Sequence, residues 1–173
     1  YSIALIPVPV TGSGNSVLVD ISTVDVASMT VTIDGSGAID DLKVCVTASP
    51  APTTTPVPSF SPAPTVSSAP TFLCFFKETI EFEDCTSGTI IDTLTVNGFD
   101  IPVTANRLIL DGSGGKVEEV SSNRAMIFDA SSPTGDDSNL DISELGNVLI
   151  VSGDLDSNDP DADSVGGVIR FDF

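Results

Sequence analysis

Hydrophobic and polar residues alternate with a period of two through most of the chain. This pattern is typical of strands with one buried face and one wet face. Short segments rich in Gly, Asn and Asp separate the runs, among them Asn97-Gly98 and residues 111–115. Together they predict an all-β fold, specifically a jelly-roll-like antiparallel β-sandwich. The alternating apolar sets are Val17, Val19, Ile21; Met29, Val31, Ile33; Leu42, Val44, Val46; Ile80, Phe82; Leu94, Val96; Ile101, Val103; and Ile169, Phe171, Phe173.

Residues 47–73 interrupt this pattern with a tract built almost wholly of Pro, Thr, Ser and Ala. Proline fixes φ and removes a backbone donor, so the tract is predicted to be an extended linker and not part of a core. Such tracts typically carry O-linked sugar in extracellular stalks, which predicts a secreted protein at the cell surface. The candidate O-glycosylation sites are Thr53, Thr54, Thr55, Ser59, Ser61, Thr65, Ser67, Ser68 and Thr71.

The order of the segments flanking this tract is unusual. The sequence GSGAIDDLKVC of residues 35–45 resembles the closing strand of a jelly-roll domain, yet it precedes the larger segment, residues 74–173. Three arrangements fit: a circular permutant closed within one chain, one period of a tandem array, or residues 1–46 completing a neighbouring unit by strand complementation. An extended tract would reach roughly 80–90 Å at about 3.1 Å per residue, more than internal closure needs. This length favours residues 1–46 completing a preceding or neighbouring domain.

The charge balance limits the partners. The chain has 6 Lys and Arg against 25 Asp and Glu, a formal net charge of -19, and no histidine. Nucleic acid and anionic membranes are bound through Lys and Arg, so neither is expected as a partner. The sequence also lacks an uninterrupted apolar run of membrane-spanning length, which argues against membrane insertion.

Acidic residues are densest between Arg124 and Arg170, in the segments PTGDDSNLD and GDLDSNDPDAD. A divalent cation would relieve their mutual repulsion, and Ca²⁺ accepts six to eight such oxygens, so the sequence predicts a calcium site. The alternative is that both segments are solvated acidic loops. The candidate ligands are Asp129, Asp136, Asp137, Asp141, Asp154, Asp156, Asn158, Asp159, Asp161 and Asp163.

The chain has three cysteines, Cys45, Cys74 and Cys85, which are the candidates for a disulfide. In a secreted chain the default is one disulfide and one remaining thiol, which is buried or paired to another subunit. A bond from Cys45 to Cys74 or to Cys85 would join two parts of a domain, and the sequence leaves both pairings open.

A resemblance covers nearly all of residues 74–173 together with residues 35–45. The segments ETIEFEDC, FDASSPTGDDSNL and GGVIRFDF, complemented by GSGAIDDLKVC, resemble poorly characterised acidic β-sandwich repeat domains in secreted or surface proteins of aquatic bacteria and microalgae. The resemblance implies material of extracellular filaments, adhesins or cell walls. The order of the parts differs from that pattern.

These observations favour a non-enzymatic role. Ser/His/Asp catalysis is impossible within a chain that has no histidine, and the glycine clusters lack the strand-to-helix context of a phosphate-binding loop. The expected function is a structural repeat unit of a secreted filament or adhesive surface protein, whose partners are copies of itself. The alternative is a calcium-dependent carbohydrate-binding module with glycans as partners.

Overall fold

The computed structural model describes residues 26–46, 76–134, 140–142 and 144–173, with only the backbone described at residues 44–46, 76 and 77. Within these residues the regular elements are strands, and every strand pairing is antiparallel. The all-β prediction is confirmed, and jelly-roll connectivity stays a prediction. In the same part of the chain, no helix has the length and apolar character needed to cross a membrane.

The described residues form ten strands in three sheets. Their bounds are β1 Ser28–Asp34, β2 Ala38–Ile39, β3 Leu42–Val46, β4 Phe76–Ile80, β5 Thr93–Val96, β6 Phe99–Leu110, β7 Lys116–Glu118, β8 Ala125–Asp129, β9 Asn147–Val151 and β10 Gly166–Asp172. The five-stranded sheet has the order β1-β10-β6-β5, with β7 also paired to β6. The three-stranded sheet has the order β2-β9-β8, and β3 pairs with β4 in a two-stranded sheet.

The predicted hairpin at Asn97-Gly98 joins β5 to β6. Both residues have positive φ, 51° for Asn97 and 79° for Gly98. Asparagine and glycine tolerate this left-handed conformation best, and two such residues give the turn that matches the twist of a two-stranded hairpin. Local turn chemistry therefore fixes the register of β5 on β6, in which Val96 lies opposite Phe99.

One hydrophobic core lies between the five-stranded and three-stranded sheets. Alternate residues of β5, β6 and β10 point into it, as the period-two pattern predicts, and β8 and β9 contribute from the other side. Phe82, which follows the end of β4, is completely buried in the same core. The buried residues are Phe82, Leu94, Val96, Ile101, Val103, Ala105, Ala125, Ile127, Leu149, Val151, Ile169 and Phe171.

A second core covers the opposite face of the three-stranded sheet. Met126 and Phe128 of β8 and Val148 and Ile150 of β9 point into it, each at most 1 % exposed. Both strands are therefore buried on both faces, which explains why AMIF and VLIV are continuous apolar runs and do not alternate. Segments outside the strands complete this core with Ala130, Leu140 and Ala162, and with the partly buried Ile90, Leu145 and Leu155.

Residues 28–46 complete the fold of their own chain. β1 pairs with β10 along its whole length, from Ser28 opposite Asp172 to Asp34 opposite Gly166, while β2 pairs with β9 and β3 with β4. Of the three arrangements, this pairing is the one closed within a single chain. It differs from the favoured interpretation, in which residues 1–46 complete a neighbouring unit, because a tract long enough to reach another domain is also long enough to return to its own. Residues 1–25 lie outside the described part.

The described residues on either side of the Pro/Thr/Ser tract lie together in the fold. β3 and β4 are antiparallel, and Val46 lies opposite Phe76 in their register. Residues 47–75, which lie outside the described part, therefore leave and re-enter the fold at the same end of a two-stranded ladder. The tract connects the two strands of a hairpin, and it does not separate two domains as the linker assignment for residues 47–73 implies. All nine candidate O-glycosylation sites lie within it.

Candidate functional site

The acidic loop, defined here as residues 153–163, packs over the second core. Leu155 and Ala162 contact that core, and Pro160 is buried. The Thr134 hydroxyl donates to the Pro160 carbonyl at 3.4 Å, which links the loop after β8 to the acidic loop. Thr134 and Leu140, described residues of the first acidic segment, therefore lie on the same side of the three-stranded sheet as the acidic loop.

Several carboxylates of the acidic loop fold it by accepting backbone hydrogen bonds. Asp154 Oδ1 accepts from the Asp156 amide at 2.8 Å, and Asp156 Oδ1 accepts from the Asn158 amide at 2.9 Å. The hydrogen bonds from the backbone amide and side chain of Asn158 lower the pKa of Asp156, because they favour its ionised form. Asp163 Oδ1 likewise accepts from the Val165 amide at 2.8 Å. Short Asp-x-Asp spacings thus produce consecutive Asx turns.

Close backbone contact seats the acidic loop on the neighbouring chain segment. Gly88, with φ of +81°, lies so close to the loop that a Cβ added there would be 2.1 Å from the Ser157 carbonyl oxygen. The Gly88 amide donates to the Ile127 carbonyl of β8 at 2.8 Å. Glycine at position 88 therefore lets the loop approach the edge of the three-stranded sheet.

Two arginines converge on the carbonyl at the start of the acidic loop. Arg124 Nη1 donates to the Gly153 carbonyl at 2.7 Å and to the Ser152 carbonyl at 3.1 Å, while Arg107 Nη1 reaches the Gly153 carbonyl at 3.3 Å. Arg124 is buried, and Arg107 forms an ion pair with Glu119 that raises the pKa of the Arg107 guanidinium. These guanidinium groups tie the acidic loop to the segment between β7 and β8 and to β6.

The predicted metal ligands do not form one cluster in the described part. Asp129 ends β8 and accepts hydrogen bonds from the Ser131 amide and hydroxyl at 2.9 and 2.6 Å. Asp141 is exposed, and Asp136 and Asp137 lie outside the described residues. Within residues 26–46, 76–134, 140–142 and 144–173, no three acidic or cysteine side chains are grouped so as to hold a metal ion. Calcium binding stays a prediction.

The structure records Cys85 as a free, half-buried thiol. Burial raises the pKa of this thiol, and the nearby carboxylates of Asp84 and Glu83 raise it further. A thiol with a raised pKa is mostly protonated at neutral pH and is a poor nucleophile. Cys45 lies opposite Lys77 in the β3–β4 ladder, and Cys74 lies outside the described residues.

A second acidic group lies where β2 leads into β3. Burial raises the pKa of Asp40, and the charges of Asp41, Glu83 and Glu81 contribute in the same direction. Glu81 and Glu83 are exposed on either side of the buried Phe82, as expected for a wet face.

Asn123 is a structural residue that the sequence pattern does not reveal. Its Nδ2 donates to the Ile91 carbonyl at 2.9 Å and to the Val103 carbonyl at 3.0 Å, and its Oδ1 accepts from the Ala105 amide at 2.7 Å and the Ala125 amide at 3.2 Å. The amide thereby substitutes for a missing strand partner beside β6. In the sequence, Asn123 stands directly before Arg124 and β8. This position indicates a residue at the start of a strand but does not identify the backbone groups to which its side chain is bonded.

Paired charges surround β7. Arg170 of β10 and Glu118 form two hydrogen bonds of 2.5 and 2.6 Å, and Asn106 Nδ2 donates to the same carboxylate at 2.6 Å. The hydrogen bonds from Arg170 and then from Asn106 lower the pKa of Glu118 to about 2. Bidentate pairing of this kind favours the ionised carboxylate. The pair links β7 to β10 across β6.

We expect Glu118→Gln to remove a stabilisation that depends on pH. The folded pKa of Glu118, about 2, lies below the ordinary 4.5, so the contribution is fully present above pH 4.5 and is lost as pH falls towards 2. We expect the variant to lose about 1–2 kcal/mol of unfolding free energy at pH 7, a modest loss because the group is partly exposed. Near pH 2 we expect almost no loss, because the carboxylate is then largely protonated. Urea denaturation at both pH values measures this. Glu144→Gln removes one negative charge at an exposed glutamate and is the control. If Glu118→Gln lowered the unfolding free energy equally at pH 7 and near pH 2, the expectation would be contradicted.

Comparison of the chain with known protein families, curated proteins and solved structures found no match.

Proposed function

We propose that the chain is a structural domain of a secreted filament or cell-surface protein. The observation that carries the proposal is the β3–β4 hairpin, whose register sets Val46 opposite Phe76. The Pro/Thr/Ser tract connects these two strands, so sugars on it would coat the domain without interrupting its fold. The assignment to the cell exterior rests on the composition of that tract.

The acidic loop supports a structural role. Its apolar residues Leu155 and Ala162 complete the second core, while Asp154, Asp156 and Asp163 accept hydrogen bonds from nearby backbone amides. Such a loop closes the fold and presents negative charge outward, which favours solubility. Phe82, Phe128 and Phe171 are buried in the cores, so these rings are not available to stack on sugar. Phe99 and Phe173 keep exposed rings, so the preference for a structural unit over a carbohydrate-binding module rests on the acidic loop and not on the aromatic residues.

A variant in which Asn-Gly replaces residues 47–75 tests the proposal. Because the tract connects two paired strands, a two-residue turn is expected to close the hairpin, with a melting temperature within a few degrees of the full chain. Under the proposal, negative-stain electron microscopy shows filaments both for the native secreted material and for the variant, and the filaments of the variant are thinner. The control inserts the same Asn-Gly after Pro58 and keeps the tract. Dispersed particles in the native material would contradict the structural role. A variant that fails to fold would contradict the inference that the tract only connects two paired strands.

A further inference from the structure

β1 is an edge strand whose outer side has no partner strand in the described part of the chain. The five-stranded sheet has the order β1-β10-β6-β5, so β1 pairs on one side only. Hydrogen bonds at both ends of the β1–β10 ladder fix its phase: the Phe173 amide donates to the Ala27 carbonyl at 2.8 Å, and the Gly35 amide donates to the Val165 carbonyl at 3.2 Å. Because antiparallel ladders alternate, the odd-numbered residues of β1 bond β10, and the even-numbered residues direct their amides and carbonyls away from the sheet. These residues are Ser28, Thr30, Thr32 and Asp34.

The side chains of this edge lie on two faces. Met29, Val31 and Ile33 point towards the first core but are only half-buried, because no further strand of the described part lies beside them. The even-numbered residues are exposed, and the Asp34 side chain, 83 % exposed, is ion-paired with Lys116. Natural edge strands are commonly protected by lysine, proline or a bulge, and β1 contains none of these. The edge therefore presents free backbone groups together with apolar side chains that an added strand would cover.

The sequence of β1, SMTVTID, is close to symmetric about Val31. Two copies of β1 aligned antiparallel about Val31 place this residue opposite itself. On the core side they place Met29 of one copy opposite Ile33 of the other. On the outer side they place Thr30 opposite Thr32, and pairs of threonine and of apolar residues are favourable across antiparallel strands. This register sets every outward-facing residue at a hydrogen-bonded position, whereas a shift by two residues leaves some of them unpaired.

The charges of β1 are complementary in this alignment, although the chain has a net charge of -19. Asp34 is the only ionisable residue of β1, and its carboxylate is paired with Lys116. In the register about Val31, Asp34 lies opposite Ser28 of the other copy, so the charged end of each strand meets the uncharged end of its partner. The two Asp34 carboxylates are then about 20 Å apart, beyond the screening distance of about 8 Å at physiological salt. A parallel alignment would instead place the two aspartates side by side.

We propose that β1 of one copy pairs antiparallel with β1 of a second copy in the register about Val31. The two five-stranded sheets then form one continuous sheet across a two-fold axis. This inference goes beyond the proposed function, because a two-fold contact closes after two copies and does not by itself build a filament. A seven-residue edge is a small interface, so we expect a dissociation constant of about 10–100 µM. At lower concentrations the chain is a monomer with β1 on β10, and its unfolding midpoint does not depend on concentration.

Sedimentation equilibrium of the full chain and of two double variants tests the register. Thr30→Glu combined with Thr32→Glu places two pairs of like charges opposite each other across the two-fold axis, so we expect dimers about 30-fold weaker than those of the unmodified chain. Thr30→Glu combined with Thr32→Lys is the matched control, because it places opposite charges at the same two contacts. We expect this control to dimerise at least as tightly as the unmodified chain. Both positions are exposed, and circular dichroism establishes that both variants are folded.

Amide hydrogen exchange gives a second measurement of the same contact. Protection of the Thr30 and Thr32 amides is expected to rise with protein concentration, whereas the Val31 amide, which faces β10, is protected at every concentration. A monomeric chain whose Thr30 and Thr32 amides are protected would overturn the proposal, because another segment of the same chain, such as residues 1–25, then covers the edge. A monomeric chain with unprotected amides would show that the edge stays open to water. Equal dimerisation of both double variants would place the contact elsewhere, and equal loss in both would reject the register about Val31.

Discussion

We expect Gly166→Ala to cost about 3 kcal/mol of unfolding free energy, measured by urea denaturation. Gly166 begins β10 with φ of +105°, where an L side chain is strained. A Cβ at this position would lie 2.1 Å from the Ile33 carbonyl oxygen and 2.6 Å from the Gly35 amide nitrogen, both backbone atoms of the β1 region. Relief of the overlap requires β1 to move away from β10, which opens the first core near Ile33.

Substitutions at two other glycines distinguish the cost of the left-handed backbone from the cost of the overlap with β1. Gly98 has φ of +79° but open space around it, so Gly98→Ala is expected to cost about 1–2 kcal/mol from the left-handed backbone alone. Gly112 has open space and no positive φ, and its replacement is expected to be neutral within about 0.5 kcal/mol. Equal costs at Gly166 and Gly98 would mean that β1 does not lie against β10. A midpoint independent of protein concentration assigns β1 to the same chain, because strands exchanged between copies make stability depend on concentration.

The sequence predicts strands well where one face meets water. β1, β5, β6 and β10 alternate because polar side chains such as Thr30 and Thr104 occupy their outer faces. It predicts β9 less directly, because Val148 and Ile150 are buried in a second core that segments without regular structure complete. Alternation reports the number of buried faces, and a period-two search therefore misses a strand buried on both.

The acidic segments show a different limit. Their carboxylates suggest a metal site, while the residues between them, Leu155 and Ala162, pack into the second core. Composition cannot distinguish a loop that gathers its carboxylates from one that turns them towards its own amides. The Asp154-x-Asp156-x-Asn158 spacing serves both arrangements, since each Asx turn uses one carboxylate oxygen. Which arrangement forms depends on contacts distant in sequence, such as the approach of Gly88 to Ser157.

The sequence shows the order of the segments on either side of the tract, but it does not show which strands of these segments pair. The sequence predicts one closing strand over residues 35–45, whereas the segment forms β2 and most of β3 in two different sheets, and the length of the tract favours an external partner for it. Loop-closure entropy grows only slowly with length, so a long tract disfavours internal pairing by little. The ladder from Leu42 opposite Ile80 to Val46 opposite Phe76 then decides the arrangement.

Arg124→Met is expected to lower the unfolding free energy by about 3 kcal/mol, because it leaves the buried Ser152 carbonyl without a charged donor and leaves the Gly153 carbonyl with only the longer bond from Arg107. The guanidinium donates to the Ser152 and Gly153 carbonyls and to the Ser121 hydroxyl, and Arg124 is only 8 % exposed. Methionine keeps much of the side-chain volume, so the loss reports the hydrogen bonds more than a cavity. The matched control is Lys43→Met, which removes a cation whose side chain is 43 % exposed and 3.7 Å from Asp41. That change is expected to stay within about 0.5 kcal/mol.

Amide hydrogen exchange localises the effect. The acidic loop is attached through Arg124 on one side and through Leu155 in the second core on the other, so loss of the guanidinium is expected to accelerate exchange at the Leu155 and Asp163 amides. The amides of β6 and β10 in the first core are expected to be less affected, since opening of a loop is a local event. Uniformly faster exchange would show that the arginine supports the whole fold. Unchanged exchange and stability would show that the apolar side chains alone seat the loop, and that the convergence of Arg124 and Arg107 on Gly153 contributes nothing measurable.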